Sequence, residues 1–268
     1  MTTTVLPAVH ATYTGGDPEA SLRDLRGLIE HAITHEPRTL QTTIGPSEIG
    51  DPCTHCLAAK LAGWAKTEHG VPWLPTVGTA VHRLLEDYVI DHENARTGGN
   101  HTASRRFLVE QHVMVGHIGG HEVWGHTDVL DLQAGVSIDY KCVGAATLKT
   151  ARRGPSEVYR TQAHLYAKGW NDAGVRVDHV AIWYVPRNSV SLDHGIFWHE
   201  PYDEQVAVAA LERANHLQRQ IDALAVLGDD VVNGWITSLD RAPGCHDCMR
   251  YPDRPTSPVP TSIDEALT

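Results

Sequence analysis

Residues 125–128 read Gly-His-Thr-Asp and residues 138–141 read Ile-Asp-Tyr-Lys, a pairing of two carboxylates and one lysine across a short interval. In an extended strand successive side chains point to opposite faces, so Asp139 and Lys141 share one face and Ile138 and Tyr140 the other. Asp128 lies on the preceding run, Glu122 to Leu132, which ends at the turn-like Gln133-Ala134-Gly135, so the two runs are expected to pair as a hairpin. Pairing brings Asp128 and Asp139 close together. Neighbouring carboxylates repel unless a cation sits between them, and hard oxygen ligands with open positions suit Mg²⁺ or Mn²⁺. Beside such a cation the Lys141 ammonium could position a nucleophile or offset developing charge, which is the chemistry of phosphodiester hydrolysis.

Two helical runs are placed to add to this set. Val77 to Ala95 carries Val81, Leu84, Leu85, Tyr88 and Val89 at helical spacing, and His82 and Glu86 stand four apart on one face. His82 could complete a metal shell, with Glu86 in a secondary, supporting place. Glu157 to Trp170 is also amphipathic, and there Gln162 and Tyr166 share a face suited to hydrogen bonding and stacking near a nucleotide. The cysteines form a separate group. Of five, four lie in Cys53-Thr54-His55-Cys56 and Cys245-His246-Asp247-Cys248, with Cys56 and Cys245 189 positions apart. Without a signal peptide, reduced thiolates in a cytoplasm favour metal binding over disulfides, and four of them can hold Zn²⁺ or an iron-sulfur cluster. Cys142, on the strand face opposite Lys141, reads as a small buried hydrophobe.

The ordered set His82, Asp128, Asp139-x-Lys141, Gln162-x-x-x-Tyr166 resembles the RecB-like branch of the PD-(D/E)XK nuclease superfamily, which includes CRISPR-associated iron-sulfur exonucleases and related phage exonucleases. The resemblance covers roughly Ile44 to Trp170 plus the C-terminal cysteines. It implies that His82, in Gly78-Thr79-Ala80-Val81-His82, Asp128 and Asp139 bind metal, that the Tyr140 carbonyl is a further ligand and that Lys141 is catalytic. It also implies that Gln162 and Tyr166 belong to the strand-positioning helix. The expected fold is α/β (α+β), a restriction-endonuclease-like core with a mixed central sheet flanked by helices and a cysteine metal clip joining the N- and C-terminal segments. The same resemblance favours a [4Fe-4S] cluster at Cys53, Cys56, Cys245 and Cys248, although relatives commonly supply one cysteine before the core and three after it, whereas this chain supplies two and two.

Each piece has an ordinary explanation when taken alone. An Asp-x-Lys strand is commonly a solvated ion-pair surface, and a lone helix histidine is commonly a satisfied, partly buried one. Their order along the chain separates the readings. The function expected is a Mg²⁺- or Mn²⁺-dependent DNA exonuclease in recombination, replication or end processing. Its alternatives are a structure-specific endonuclease, a non-catalytic metal-clipped DNA-binding adaptor and a purely structural zinc protein. No Gly-x-x-x-x-Gly-Lys-Ser/Thr loop is present, which excludes a recognisable ATPase motor in this sequence. DNA is the expected partner, with recombination or replication proteins beside it, in a cytoplasm or a host cytoplasm. No run approaches a membrane span.

The formal net charge of −11 among 268 residues means that phosphate contacts need a local basic track. Lys149, Arg152, Arg153 and Arg160, just after the Asp-x-Lys strand, are the leading candidates, with Arg105-Arg106 second. His31 and His35 have zinc-protease spacing without the accompanying glutamate and read as surface. His117 and His121 flank a Gly119-Gly120 turn, and His55 and His246, inside the cysteine pairs, could be ligands but are not needed as such.

The elements that must position these groups follow from periodicity. Helices are expected at Ser21 to His35, around Leu57 to Ala62, and over Gln205 to Leu227. Strands are expected near Phe107 to Val115, Val123 to Leu130, Val136 to Lys141, Val177 to Val185 and Ser191 to Trp198. Residues 1–18 are expected to be flexible, 19–251 to form one nuclease domain, and the proline- and serine-rich 252–268 to be disordered.

Overall fold

The structure, a computed structural model, describes residues 17–35, 44–67, 70–100 and 104–251. Of the flexible start expected over residues 1–18, residues 1–16 lie outside the described residues and Asp17 and Pro18 begin a helix; the tail expected to be disordered over 252–268 lies outside them as well. The chain divides into two compact units, residues 1–41 and 42–268. The described part of the first is helix α1 (Pro18–Thr34), which starts three residues before the expected position because Asp17 caps it, Oδ1 accepting the Ala20 N–H at 3.0 Å, and proline occupies its first turn. His31 and His35 are exposed on it.

In chain order the second unit comprises α2 (Pro46–Ile49), α3 (Thr54–Leu61), α4 (Trp73–Thr97), β1 (Phe107–Ile118), β2 (His121–Asp131), β3 (Val136–Val143), α5 (Ala145–Ala151), α6 (Glu157–Asp172), β4 (His179–Pro186), β5 (Ile196–Pro201), α7 (Glu204–Ala225) and α8 (Asp229–Ser238). The strands form one mixed sheet in the order β1-β2-β3-β4-β5, all neighbours antiparallel except the parallel pair β3 and β4. The parallel pair is joined by a crossover through α5 and α6, as parallel neighbours require. The expected mixed sheet flanked by helices is the fold observed.

Turn chemistry sets the register. Gly119 and Gly120 both have positive φ, +58° and +81°, as a two-residue hairpin turn between Ile118 and His121 demands. The β2–β3 turn is held by Asp131, whose Oδ1 accepts the N–H groups of Gln133 and Ala134 at 3.0 and 3.1 Å. Arg106 grips the same carboxylate at 2.7 Å, and the Arg106 N–H donates to the buried Glu93 at 3.0 Å. Arg106 is therefore committed to the fold.

One core lies between the sheet and α6 and α7, with Val113, Leu130, Leu165, Ile182, Tyr184, Leu211 and Ala214 among its members. A second gathers Leu57, Ala58, Trp64, Leu217, Ile221, Val232, Ile236 and Tyr251 around the cysteine pairs. Helices α2, α5 and α8 were not anticipated. Helix α8 has β-branched residues and a glycine, poor local formers, yet Val232 and Ile236, four apart, pack into the second core. Helix α5 is only seven residues long. The strand expected over Ser191 to Trp198 begins at Ile196, because the Ser191 hydroxyl accepts the Asp193 N–H at 3.1 Å and folds Leu192–His194 into a 3₁₀ turn. No helix among the described residues is long and apolar enough to cross a membrane.

Candidate active site

Strands β2 and β3 pair only from Val129 and Ile138 down to the turn, then separate. That leaves the Tyr140 N–H without a partner on β2, and the Asp128 side chain fills the gap, Oδ2 accepting it at 2.5 Å. The other oxygen, Oδ1, accepts from His82 Nδ1 at 3.2 Å, so α4 is tied to the point where the strands part. The ring of His82 also meets Tyr140 edge-on, 6.0 Å between centroids. Burial works against a charged His82, but the hydrogen bond to Asp128 and the charges of Asp128 and Asp139 outweigh it and raise its pKa.

A third group was not foreseen. Glu110 on β1 occupies the register position opposite Asp128, between the pairs Val109–Val129 and Gln111–Thr127. His82, Glu110 and Asp128 each offer a ligand atom, all within 4.8 Å of one another. Like charges directly opposed across strands are destabilising. Burial first, then the charges of Asp128 and Glu86, push the Glu110 carboxyl above its ordinary range. Glu110 is also the one non-glycine among the described residues with positive φ, +48°, a strained conformation that proteins retain chiefly at functional positions. One imidazole and two mutually repelling carboxylates at a strained strand position are a donor set that fits a hard divalent cation.

Asp139 and Lys141 share a face as the alternation predicts, but their carboxylate and ammonium pair with each other at 2.5 Å instead of Asp139 joining the trio. Asp139 is 3% exposed, and its Oδ2, despite the ion pair, has no well-angled hydrogen bond. Burial, opposed by Lys141 and reinforced by Asp128, pushes the Asp139 carboxyl up. Lys141 is clamped on further sides. Its Nζ donates to Gln162 Oε1 at 2.9 Å and lies 4.9 Å from the centre of the Tyr159 ring, while Gln162 Nε2 donates to Tyr166 Oη at 3.2 Å. Helix α6, started by the Ser156 hydroxyl accepting the Tyr159 N–H, places Tyr159, Gln162 and Tyr166 on its sheet-facing side.

Gln162 and Tyr166, expected to position the strand, are both buried, Tyr166 within the main core, and Gln162 links the Tyr166 hydroxyl to Lys141. Gly125 is explained by the same packing: a Cβ there would come within 2.6 Å of Pro46 and 2.8 Å of Tyr166. Glu86 is half-buried and makes no hydrogen bond to His82, its charge falling on Glu110 instead. Cys142 is half-buried and near Arg187, not fully buried as expected.

The basic residues separate. Lys149 and Arg152 line a cleft of about 480 Å³ with Ala145, Leu148, Asn188, Ser189 and His194, beyond the carboxyl ends of β3 and β4. Arg153 is exposed nearby. Arg160 instead pairs with Glu200 at 2.5 Å, and Glu200 also takes the buried His164 at 2.6 Å. At the other end of the chain Cys53 and Cys56 meet Cys245 and Cys248, with Sγ–Sγ distances of 3.5 to 3.7 Å.

Neither a family model nor a curated protein matches the sequence. Among solved structures, the chain is similar to an alkaline exonuclease from Laribacter hongkongensis at 13% identity and a TM-score of 0.45, over 68% of this chain and 89% of that one. The same enzyme in complex with dAMP matches at 13% and 0.45 over 69% and 90%. A phage-related exonuclease from Haemophilus somnus 129PT matches at 12% and 0.39 over 63% and 80%.

Proposed function

We propose that the chain is a Mg²⁺- or Mn²⁺-dependent deoxyribonuclease acting on DNA ends, of the RecB-like kind that its motif order resembles. The observation that carries this is the convergence of His82, Glu110 and Asp128 beside a lysine held by Asp139 and Gln162. His82, Glu110 and Asp128 would hold the cation, with Asp139 and the Tyr140 carbonyl completing its surroundings. When bound, such a cation supplies charge stabilisation at the scissile phosphate and lowers the pKa of water.

The chain's own groups do the rest. Lys141 is held in one place by Asp139, Gln162 and the face of Tyr159, so it presents its Nζ to the attacking water or to the developing phosphate charge without reorganising. Asp128 holds the Tyr140 backbone and His82 in fixed relation to that ammonium. Lys149, Arg152 and Arg153, which have no acidic partner among the described residues, offer a path for the phosphate backbone at the carboxyl ends of β3 and β4. The net charge of −11 works against binding along duplex DNA generally and suits a protein brought to ends by recombination or replication partners in a cytoplasm.

The test is digestion of end-labelled linear DNA, single- and double-stranded, beside a covalently closed circle, with Mn²⁺ or Mg²⁺ and an Asp139→Ala control. Loss of linear DNA alone, abolished in the control, supports an end-directed enzyme. Cutting of the circle makes it an endonuclease, and no cation-dependent cleavage of any substrate overturns the proposal.

A further inference from the structure

The four clustered cysteines stand in a geometry that distinguishes between the two metal centres such residues form. Around one zinc ion with Zn–S of about 2.3 Å, tetrahedral thiolates lie ~3.8 Å apart. Here Cys53 and Cys248 are 3.5 Å apart, Cys56 and Cys248 3.6 Å, and Cys56 and Cys245 3.7 Å. In a four-iron cluster each thiolate binds a different iron at the outside of a cage of irons and sulfides, which holds the cysteine sulfurs well beyond mutual contact. These three of the six sulfur pairs match the spacing around one ion and fall well short of the spacing around a cage. We propose that Cys53, Cys56, Cys245 and Cys248 hold a single zinc ion in a closed tetrahedral site, with His55 donating a hydrogen bond to the Cys56 sulfur, in place of the iron-sulfur cluster that the family resemblance implies.

The role of His55 follows from its tautomer. Its ring approaches Cys53, Cys56 and Cys248 closely enough to compete with Cys245 as a ligand. Arg241 Nη2 lies 3.3 Å from His55 Nε2, and a guanidinium only donates, so Nε2 accepts and the proton sits on Nδ1. Nδ1 faces Cys56 Sγ at 3.8 Å. A protonated ring nitrogen binds no metal but does stabilise a thiolate, as outer partners of metal sites do. Cys53 and Cys56 are 0% and 1% exposed within the second core, and Cys245 and Cys248 are half-buried against it. Soft thiolates and the ordering of divalent affinities favour zinc over a lone ferrous ion. The ion would join segments 189 positions apart that already touch through the His55 N–H to Asp240 carbonyl and Thr67 N–H to Arg250 carbonyl bonds.

The test is metal analysis of the full chain, expressed with iron and zinc both supplied and purified without oxygen, independent of any assay on DNA. One zinc per chain, no acid-labile sulfide and no visible colour are expected. Iron with sulfide, a lone iron, or no metal would each overturn the proposal. For the ligand set, His55→Phe keeps one zinc with affinity lowered about ten- to a hundredfold, whereas Cys245→Ser loses more. The reverse order would make His55 the fourth ligand and refute the assignment. If either variant fails to fold, analysis of the unaltered chain still decides.

Discussion

Glu110→Gln should act in opposite directions with and without a divalent cation. Two unit charges at the 4.8 Å outer limit of the trio repel by about 3.5 kcal/mol in an effective dielectric near 20. Glu110 is 32% exposed and Asp128 11%, so solvent screening reduces that to roughly 1–2 kcal/mol. The amide keeps the side chain's shape and removes the charge. In chelator, urea denaturation should therefore show the variant more stable than the parent by roughly that amount. The Glu110 pKa is raised in the fold, so the parent's deficit exists only while the carboxyl is ionised there, and the advantage should vanish as pH falls below about 4.3. With Mn²⁺ present the order should invert, because the variant gains less from the cation, and cleavage should fall at least tenfold. A variant that is destabilised in chelator, and that Mn²⁺ stabilises as much as the parent, would show that Glu110 is no ligand and that its strained backbone has another cause.

Other perturbations read the surrounding supports. Gln162→Leu leaves Lys141 unclamped and the Tyr166 hydroxyl without its donor, and should slow single-turnover cleavage by roughly ten- to a hundredfold while leaving Mn²⁺ stabilisation intact; loss of both would place Gln162 at the metal instead. Gly125→Ala forces a methyl against Pro46 and Tyr166 and should lower stability by about 1–3 kcal/mol in thermal denaturation. Glu93 accepts two N–H groups of Arg96 and the Arg106 N–H, and Arg96 first among these causes holds its carboxyl below the ordinary range. A lowered folded-state pKa means stability that is present above about pH 4.3 and is lost as pH falls through the folded value. Glu93→Gln should cost roughly 1.5–3 kcal/mol at neutral pH and flatten that acid limb. Gly78 lies in α4 with nothing within 4 Å of where a Cβ would sit, so Gly78→Ala should raise stability by up to about 1 kcal/mol.

Much of the site was legible because it rests on local periodicity. The alternation of Ile138, Asp139, Tyr140 and Lys141 placed the carboxylate and the ammonium on one face, and the helical spacing of Gln162 and Tyr166 placed them together, as the structure has them. What a periodic face looks toward is not written in its period: the face shared by Gln162 and Tyr166 is buried, with Tyr166 in the main core. Glu110 shows the other limit. The register of β1 on β2 shifts between Met114 and Gly116, where a Cβ at Gly116 would lie 2.6 Å from Leu211. Carried back from the Gly119-Gly120 turn without that bulge, Glu110 would fall opposite Val129, and a one-residue slip reverses every face. The contact with α7 at the bulge is a tertiary fact. Arg160 and Arg106 likewise read as basic surface until Glu200 and Asp131 are seen beside them.

The most direct test of the central claim is anomalous scattering from crystals soaked in Mn²⁺. A peak is expected that is bounded by His82, Glu110 and Asp128 on the side of Asp139 and Lys141, and absent in Asp128→Asn crystals. Crystals that diffract well and show no manganese among those three side chains would contradict it.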